Sequence, residues 1–279
     1  MRFDGPTLAR AWRAVWPAAA TSEDYVELYR AVQIEVHASG VVLTACDTHS
    51  ILSAWVPALE WTATGGATPE PGSPAAETYV PEDMPPPVRE VEPERVVVVR
   101  DEDLRAAGLL AYAVKLLRTF DKDRRHTPGL VVVDLDLDAA IPSDPALTDA
   151  TLDGMDAWTG DAVALTIPDS ERVLLPTIPD AITTGWPDWR RWDLFEPTSA
   201  RDDNADPEAA QQVQTYAARR MYALHQAAAA LGESAVTLLP TDRHIRVEFD
   251  SDRPVIGGAV MPIRDDTAPA PAVTDEDGP

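Results

Sequence analysis

Three aspartates alternate with leucines directly after a run of apolar residues. Asp134, Asp136 and Asp138 follow the apolar residues 130–133 at two-residue spacing. Carboxylates in such a cluster can hold Mg²⁺, and one of them can attack a phosphorus atom. Alternate side chains of a strand point to the same face, so an exposed strand would show the same pattern without any chemistry.

The aspartate pattern resembles the nucleophile motif of haloacid-dehalogenase-like phosphatases. Their chemistry also requires a lysine later in the chain, and no lysine follows Lys122. Short motifs often match by accident. A magnesium-dependent phosphatase is therefore kept only as an alternative, and an exposed strand face is the preferred interpretation.

A nucleophilic cysteine with a histidine base is the other catalytic candidate. Cys46 and His49 lie three residues apart, so on one strand their side chains would point to opposite faces. The other four histidines lack metal-ligand spacing, and a single cysteine excludes an intramolecular disulfide and a cysteine-based zinc site. We therefore expect no catalytic site, no metal and no cofactor.

The segment 185–192 (GWPDWRRW) is the most distinctive part of the chain. It carries three indole rings, one proline that fixes the backbone φ, and two guanidinium groups within eight residues. We call it the Trp-rich segment and interpret it as a recognition surface or a wedge between structural units. The alternative is that its tryptophans are ordinary core and its arginines pair with nearby acids.

Charge is distributed unevenly along this acidic chain, which has a net charge of −24 over 279 residues. Ten of the 23 basic residues fall in or just after the three segments that have a helical pattern. These are Arg10, Arg13, Arg105, Lys115, Arg118, Lys122, Arg124, Arg125, Arg219 and Arg220. No run of 18 apolar residues and no signal-peptide core is present, which predicts a cytoplasmic protein without a membrane segment.

The elements that must position these residues form a weak internal repeat. Helices are predicted at 7–16, 102–120 and 208–231, and short β-branched or aromatic segments predict strands between and after them. The predicted strands are 31–37, 41–46, 50–56, 95–100, 130–137, 162–167, 172–177, 235–239, 244–249 and 255–261. The pattern predicts an α+β fold of repeated βαβββ units, with helices on one face of a continuous antiparallel sheet. In such a fold the basic residues lie on one surface, which could bind the phosphate backbone of a nucleic acid without recognising its sequence.

Three motifs in a fixed order give the chain a family resemblance. The helix LARAWRAV at 8–15 precedes ACDTHSIL at 45–52, WPDWRR follows at 186–191, and GAVMPIR closes the series at 258–264. In this order they resemble the bacterial sliding-clamp family, the β subunit of DNA polymerase III. The resemblance implies the DNA clamp fold and a chain, bacterial or phage-encoded, that lacks the family's first domain and half of its third.

The resemblance also implies a domain division and two surfaces. We expect a clamp-like domain at 1–196 with a Pro-rich loop at 57–94, a linker at 197–207, a half domain at 208–265 and a disordered acidic tail at 266–279. A pocket for linear peptide motifs would comprise Thr48, His49, Ile51, Pro187, Arg191, Trp192, Val247, Ala259, Met261, Pro262 and Arg264. The residues facing DNA would be Arg10, Arg13, Lys115, Arg118, Lys122, Arg124, Arg125, Arg219 and Arg220.

The implied function is that of a polymerase processivity factor with no enzymatic activity. Its partners would be double-stranded DNA, bound without sequence preference, and a DNA polymerase and clamp loader, bound through peptide motifs. Rings of this family contain twelve such units, so a homo-oligomer of four three-unit chains, or a trimer, is conjectured. A clamp-derived decoy or adaptor that does not encircle DNA is the main alternative.

Overall fold

The fold is taken from a computed structural model of the full chain. It describes residues 1–19, 31–47, 49–59, 91–100, 105–123, 131–140, 161–168, 170–178, 186, 190, 194–195, 218–240, 244–250 and 254–261. The predicted linker, the acidic tail and most of the Pro-rich loop lie outside these residues. Within them, no helix is both long and apolar enough to cross a membrane.

The described elements form three successive units. The first unit is β1 (Arg2–Asp4), α1 (Gly5–Val15), β2 (Ala31–His37), β3 (Gly40–Cys46) and β4 (Ser50–Pro57). The second unit is β5 (Arg95–Arg100), α2 (Arg105–Asp123), β6 (Val132–Ala140), β7 (Asp161–Thr166) and β8 (Arg172–Pro176). The third unit is α3 (Ala218–Leu231), β9 (Thr237–Pro240), β10 (Ile245–Glu248) and β11 (Val255–Val260).

Helix α1 begins two residues before its predicted start because Asp4 caps it. The Asp4 carboxylate accepts a hydrogen bond from the Thr7 backbone N–H at 3.0 Å, and Pro6 occupies the first turn, where no N–H partner is needed. Leu8 and Trp12 recur at helical spacing and are buried. The helix therefore presents an apolar side to the sheet.

The first two units exchange their first strands. Strand β1 pairs with β6 of the second unit, and β5 pairs with β2 of the first unit. The exchange places residues about 130 positions apart in register, as in the pair Arg2 and Asp134. Neither unit completes its sheet alone.

The strands form two antiparallel sheets that meet at one corner. Their orders are β1-β6-β7-β8 and β5-β2-β3-β4-β11-β10-β9. An isolated bridge between Val99 and Thr177, with a 2.8 Å hydrogen bond from the Ile178 N–H to the Val98 carbonyl, joins β5 to the end of β8. The α+β class with antiparallel strands is confirmed, and the predicted single sheet is divided at this corner.

The seven-stranded sheet has an apolar cluster on each face. The inner cluster contains Leu43, Leu52 and Ile256 together with α1, α2 and α3. The outer cluster contains Val42, Ile51 and Trp55 from the alternate positions of the same strands. Because side chains alternate along a strand, these two sets lie on opposite faces.

Candidate functional site

The hairpin between β3 and β4 is fixed by one carboxylate. Oδ1 of Asp47 accepts hydrogen bonds from the backbone N–H of His49 at 2.8 Å, the N–H of Ser50 at 2.7 Å and the Ser50 hydroxyl at 2.9 Å. A short acidic side chain that bonds the next residues of its own chain stabilises a tight turn. The His49 side chain is exposed at this turn.

The carboxyl end of β11 lies against this hairpin. The Met261 N–H donates to the His49 carbonyl at 2.8 Å, which extends the pairing of β4 with β11 by one step. Arg220 of α3 donates from Nη1 to the Met261 carbonyl at 2.7 Å. Two of the three segments predicted to form the pocket are therefore in contact.

The outer cluster brings Trp186 of the third segment to the same face. Trp186 and Leu194, which lies two residues after the Trp-rich segment, pack in one cluster with Cys46, Ile51 and Ala259. Burial raises the pKa of the Cys46 thiol, and the neighbouring charge of Asp47 raises it further. A buried thiol with a raised pKa keeps its proton at neutral pH, which makes it a weak nucleophile.

Gly257 of β11 lies directly beneath the chain at Leu194. A Cβ on this glycine would lie 2.1 Å from the Leu194 carbonyl oxygen, closer than any real contact. Only glycine allows the two backbones to approach this closely. Residues 194–195 can therefore lie on the sheet only because position 257 of β11 has no side chain.

Arg190 of the Trp-rich segment forms a buried ion pair. Its guanidinium nitrogens lie 2.9 and 3.1 Å from the two carboxylate oxygens of Glu35 on β2. The side chains are only 13% and 5% exposed. His37 lies on the same face, with Nε2 3.7 Å from Glu35 and its ring at an edge-on angle to Trp55. For Arg190, the interpretation as a structural ion pair is the one that the structure supports.

Val247 is the predicted pocket residue that the fold places elsewhere. Its side chain is fully buried in the inner cluster, on the opposite face from Ile51 and Ala259. The directly neighbouring Arg246 points to the outer face instead, where it is paired with Ala259 across the strands and lies 3.2 Å from Glu248. The remaining predicted pocket residues lie outside the described residues: Thr48, Pro187, Arg191, Trp192, Pro262 and Arg264.

Seven of the nine predicted DNA-facing residues lie in the three helices, but not all of these are exposed. Arg13 and Lys115 are exposed, and Arg10 is half-buried. Arg220 is half-buried and bonded to the Met261 carbonyl. Arg118, Lys122 and Arg219 are in helices, but their side chains are not among the described ones, and Arg124 and Arg125 lie outside the described residues.

The three aspartates of β6 have structural partners. Arg2 lies 3.1 Å from Asp134, Arg95 donates to Asp138, and Asp136 accepts from the backbone N–H of Asp138 at 3.0 Å. They occupy an antiparallel strand in which the intervening Leu135 is buried and Leu137 half-buried, as expected when the aspartates lie on the more exposed face. No group of three potential metal ligands is found within the described part of the chain.

Comparison with known proteins identifies the architecture. No protein-family model and no curated protein sequence matches the chain. Among solved structures, the β subunit of DNA polymerase III from Thermotoga maritima superposes with a TM-score of 0.50 at 11% identity, over 94% of this chain and 64% of that one. The DNA polymerase sliding clamp from Bacillus subtilis gives 0.46 at 8% identity over 98% and 66% of the two chains. The β subunit from Pseudomonas aeruginosa gives 0.44 at 12% identity over 95% and 65%.

The resemblance of the sequence motifs to sliding clamps agrees with three observations. These are the superposition on the Thermotoga subunit, the paired units with exchanged strands, and the helix layer on one side of the sheets. The chain spans about 64% of the length of the Thermotoga subunit. It has the fold of the DNA polymerase III β-subunit sliding clamps, in a chain shorter than theirs.

Proposed function

We propose that the protein is a DNA sliding clamp that encircles duplex DNA as a homo-oligomeric ring and tethers a polymerase through a peptide pocket. Such a protein performs no chemistry of its own. It works by topological linkage, supplemented by weak contacts to phosphates that carry no sequence information.

The observation that carries this proposal is the separation of charge between the helices and the rest of the chain. The three helices contain eight basic residues and only two acidic ones, Asp121 and Asp123. The whole chain has 23 basic and 47 acidic residues, so the ratio is reversed in the helix layer. A cationic layer on an otherwise acidic body attracts the DNA backbone to one surface and repels it from the others.

A topological assay tests encirclement directly. The protein is allowed to thread onto linear duplex DNA that is blocked at one end, the other end is then blocked, and the sample is washed at high salt. We expect the protein to be retained, and to be released when a restriction enzyme cuts the DNA. Release by the wash despite blocked ends, or retention after cutting, would contradict a closed ring and favour the non-encircling adaptor.

Substitutions in the helix layer separate phosphate binding from topology. The double substitution Arg13→Ala and Lys115→Ala removes two exposed cations of α1 and α2. We expect weaker binding to short duplex DNA. The slope of log Kd against the logarithm of the salt concentration should also decrease, by about 0.9 for each phosphate that is no longer neutralised. Arg172→Ala removes an exposed arginine of β8, outside the helices, and is the matched control.

The peptide pocket is proposed where the three segments converge on the outer side. Support comes from the Met261 hydrogen bond to the His49 hairpin and from the packing of Trp186 and Leu194 beside Ile51 and Ala259. We expect both Arg191→Ala and deletion of residues 261–264 to weaken binding of a synthetic peptide that carries a bacterial polymerase clamp-binding motif. Unchanged affinity in both variants, with Arg172→Ala as control, would refute the pocket while leaving encirclement untouched.

A further inference from the structure

Among the strands that the structure describes, the third unit has an edge without a neighbouring strand, whereas the corresponding edge is paired in the other two units. In the first unit the second strand, β2, is bordered by β5, which the second unit contributes. In the second unit the second strand, β6, is bordered by β1, which the first unit contributes. The corresponding strand of the third unit is β9, and within the described residues it forms the end of its sheet.

The units therefore complete one another in pairs, and the described residues form an odd number of them. Pairing of the first and second units leaves the third without a counterpart in this part of the chain. The missing neighbour would supply a strand beside β9 and a helix beside α3, since α1 and α2 pack against each other where the first two units meet. Helix α1 lies between α2 and α3 and packs against both. Helix α3 packs against α1 on one side, and no described helix packs on its other side.

The surface at this position is apolar, in contrast with the rest of the helix layer. Met221 and Tyr222 of α3 are 38% and 59% exposed, and Leu238 of β9 is 39% exposed. Leu238 lies opposite Val247, whose side chain is in the inner cluster, so Leu238 is on the helix side of the sheet. Three of the six large hydrophobic residues exposed among the described residues thus belong to the third unit.

Charge also distinguishes this surface from the proposed DNA-binding layer. The exposed positions described on α3 are Met221, Tyr222, His225, Gln226 and Ala229, without a lysine, arginine, aspartate or glutamate. A surface of this kind gains little from phosphates, but its burial against another apolar surface is favourable. A self-complementary contact about a two-fold axis uses the same patch on both partners and needs no second type of surface.

We propose that the third units of two copies of this chain pack together about a two-fold axis, through the exposed side of α3 and the outer edge of β9. Each copy supplies the neighbour that the other lacks. Pro240 has no N–H and ends β9, so strand pairing is short and the apolar side chains contribute most of the contact. The pairing itself is inferred from the fold, whereas its place in a ring rests on the proposed function. Because the third units pair two by two, the ring must contain an even number of chains, which fits a tetramer and excludes a trimer.

Native mass spectrometry of the full chain without DNA tests the pairing. We expect a dimer or tetramer at micromolar concentration. The double variant Met221→Glu and Leu238→Glu should lose the contact between third units and form an assembly with half as many chains. Val91→Glu changes a similarly exposed valine outside this surface and should leave the mass of the assembly unchanged. A monomeric or trimeric native protein, or a double variant with an unchanged assembly, would overturn the proposal.

A single introduced cysteine tests the two-fold geometry in a folded protein. A two-fold axis that passes through the exposed side of α3 places the residues beside it near their own copies, so Tyr222→Cys should give a disulfide-linked dimer on oxidation, whereas Val91→Cys, outside this surface, should not. The native Cys46 is buried and does not compete. Absence of the Tyr222→Cys dimer contradicts the interface. An even-numbered assembly that fails the DNA-trapping assay would retain the interface and refute the clamp, so the two failures are distinguishable.

Discussion

Removal of the Arg190 charge should destabilise the protein far more than removal of a surface arginine. In Arg190→Met the apolar stem remains, but the Glu35 carboxylate, 5% exposed, loses the two nitrogens that lie 2.9 and 3.1 Å from its oxygens. Glu35 keeps its other contacts, including His37 at 3.7 Å, but it loses its guanidinium partner, and breaking a buried ion pair from one side costs about 3–5 kcal/mol. The effect should be seen as a lower urea midpoint at an unchanged slope.

Two further variants identify the cause of that loss. Replacing both partners, with Glu35→Leu and Arg190→Met, also removes the carboxylate that lost its guanidinium partner. This double variant should recover most of the stability, since well-packed apolar pairs often replace buried ion pairs without penalty. Arg2→Met breaks a 3.1 Å pair with Asp134 in which the side chains are 51% and 36% exposed, and should cost only about 0–1 kcal/mol. The buried-charge explanation is refuted if Arg190→Met costs no more than Arg2→Met, or if the double variant is less stable than the single one.

Three other changes have expected outcomes that follow from local geometry. Gly257→Ala should destabilise the fold and loosen residues 194–195 in hydrogen exchange, because its Cβ would overlap the Leu194 carbonyl; Gly108→Ala, at an exposed helical position with no atom within 4 Å, should instead stabilise by about 0.5–1 kcal/mol. Asp47→Ala removes an acceptor of three hydrogen bonds and should cost about 1–3 kcal/mol, with faster amide exchange in the hairpin. The pKa of Cys46 is raised on folding, so the folded state holds its proton more tightly, and stability should fall as pH rises above about 8.5, the ordinary thiol value. Cys46→Val should abolish that part of the pH dependence, as measured by urea unfolding across the alkaline range.

The sequence predicted those elements whose own residues determine them. The strands 31–37 and 95–100 were predicted with their observed bounds, because β-branched residues run between clear turn signals. Strand β1 was missed. Its three residues include one apolar side chain, and it is a strand only because β6, about 130 residues later, pairs with it.

The candidate site was predictable in its parts but not in its contacts. Motif order indicated that the His49 hairpin and Met261 belong together, and the structure joins them by a hydrogen bond. The partner of Arg190 could not be read from the sequence, since any of 47 acidic residues was available and Glu35 is 155 positions away. For Val247 a signal existed: strand alternation with the adjacent arginine already assigns it to the opposite face.

The exchange of first strands also bears on how the chain folds during synthesis. Strand β2 cannot gain its second neighbour until residue 100 has left the ribosome, and β1 waits for residues 132–134. Pairings of such long sequence separation form slowly, and an unpaired strand edge is a site of aggregation until its neighbour arrives. A nascent chain that ends before β6 should therefore remain dependent on chaperones, and the first two units should reach protease resistance together rather than in turn.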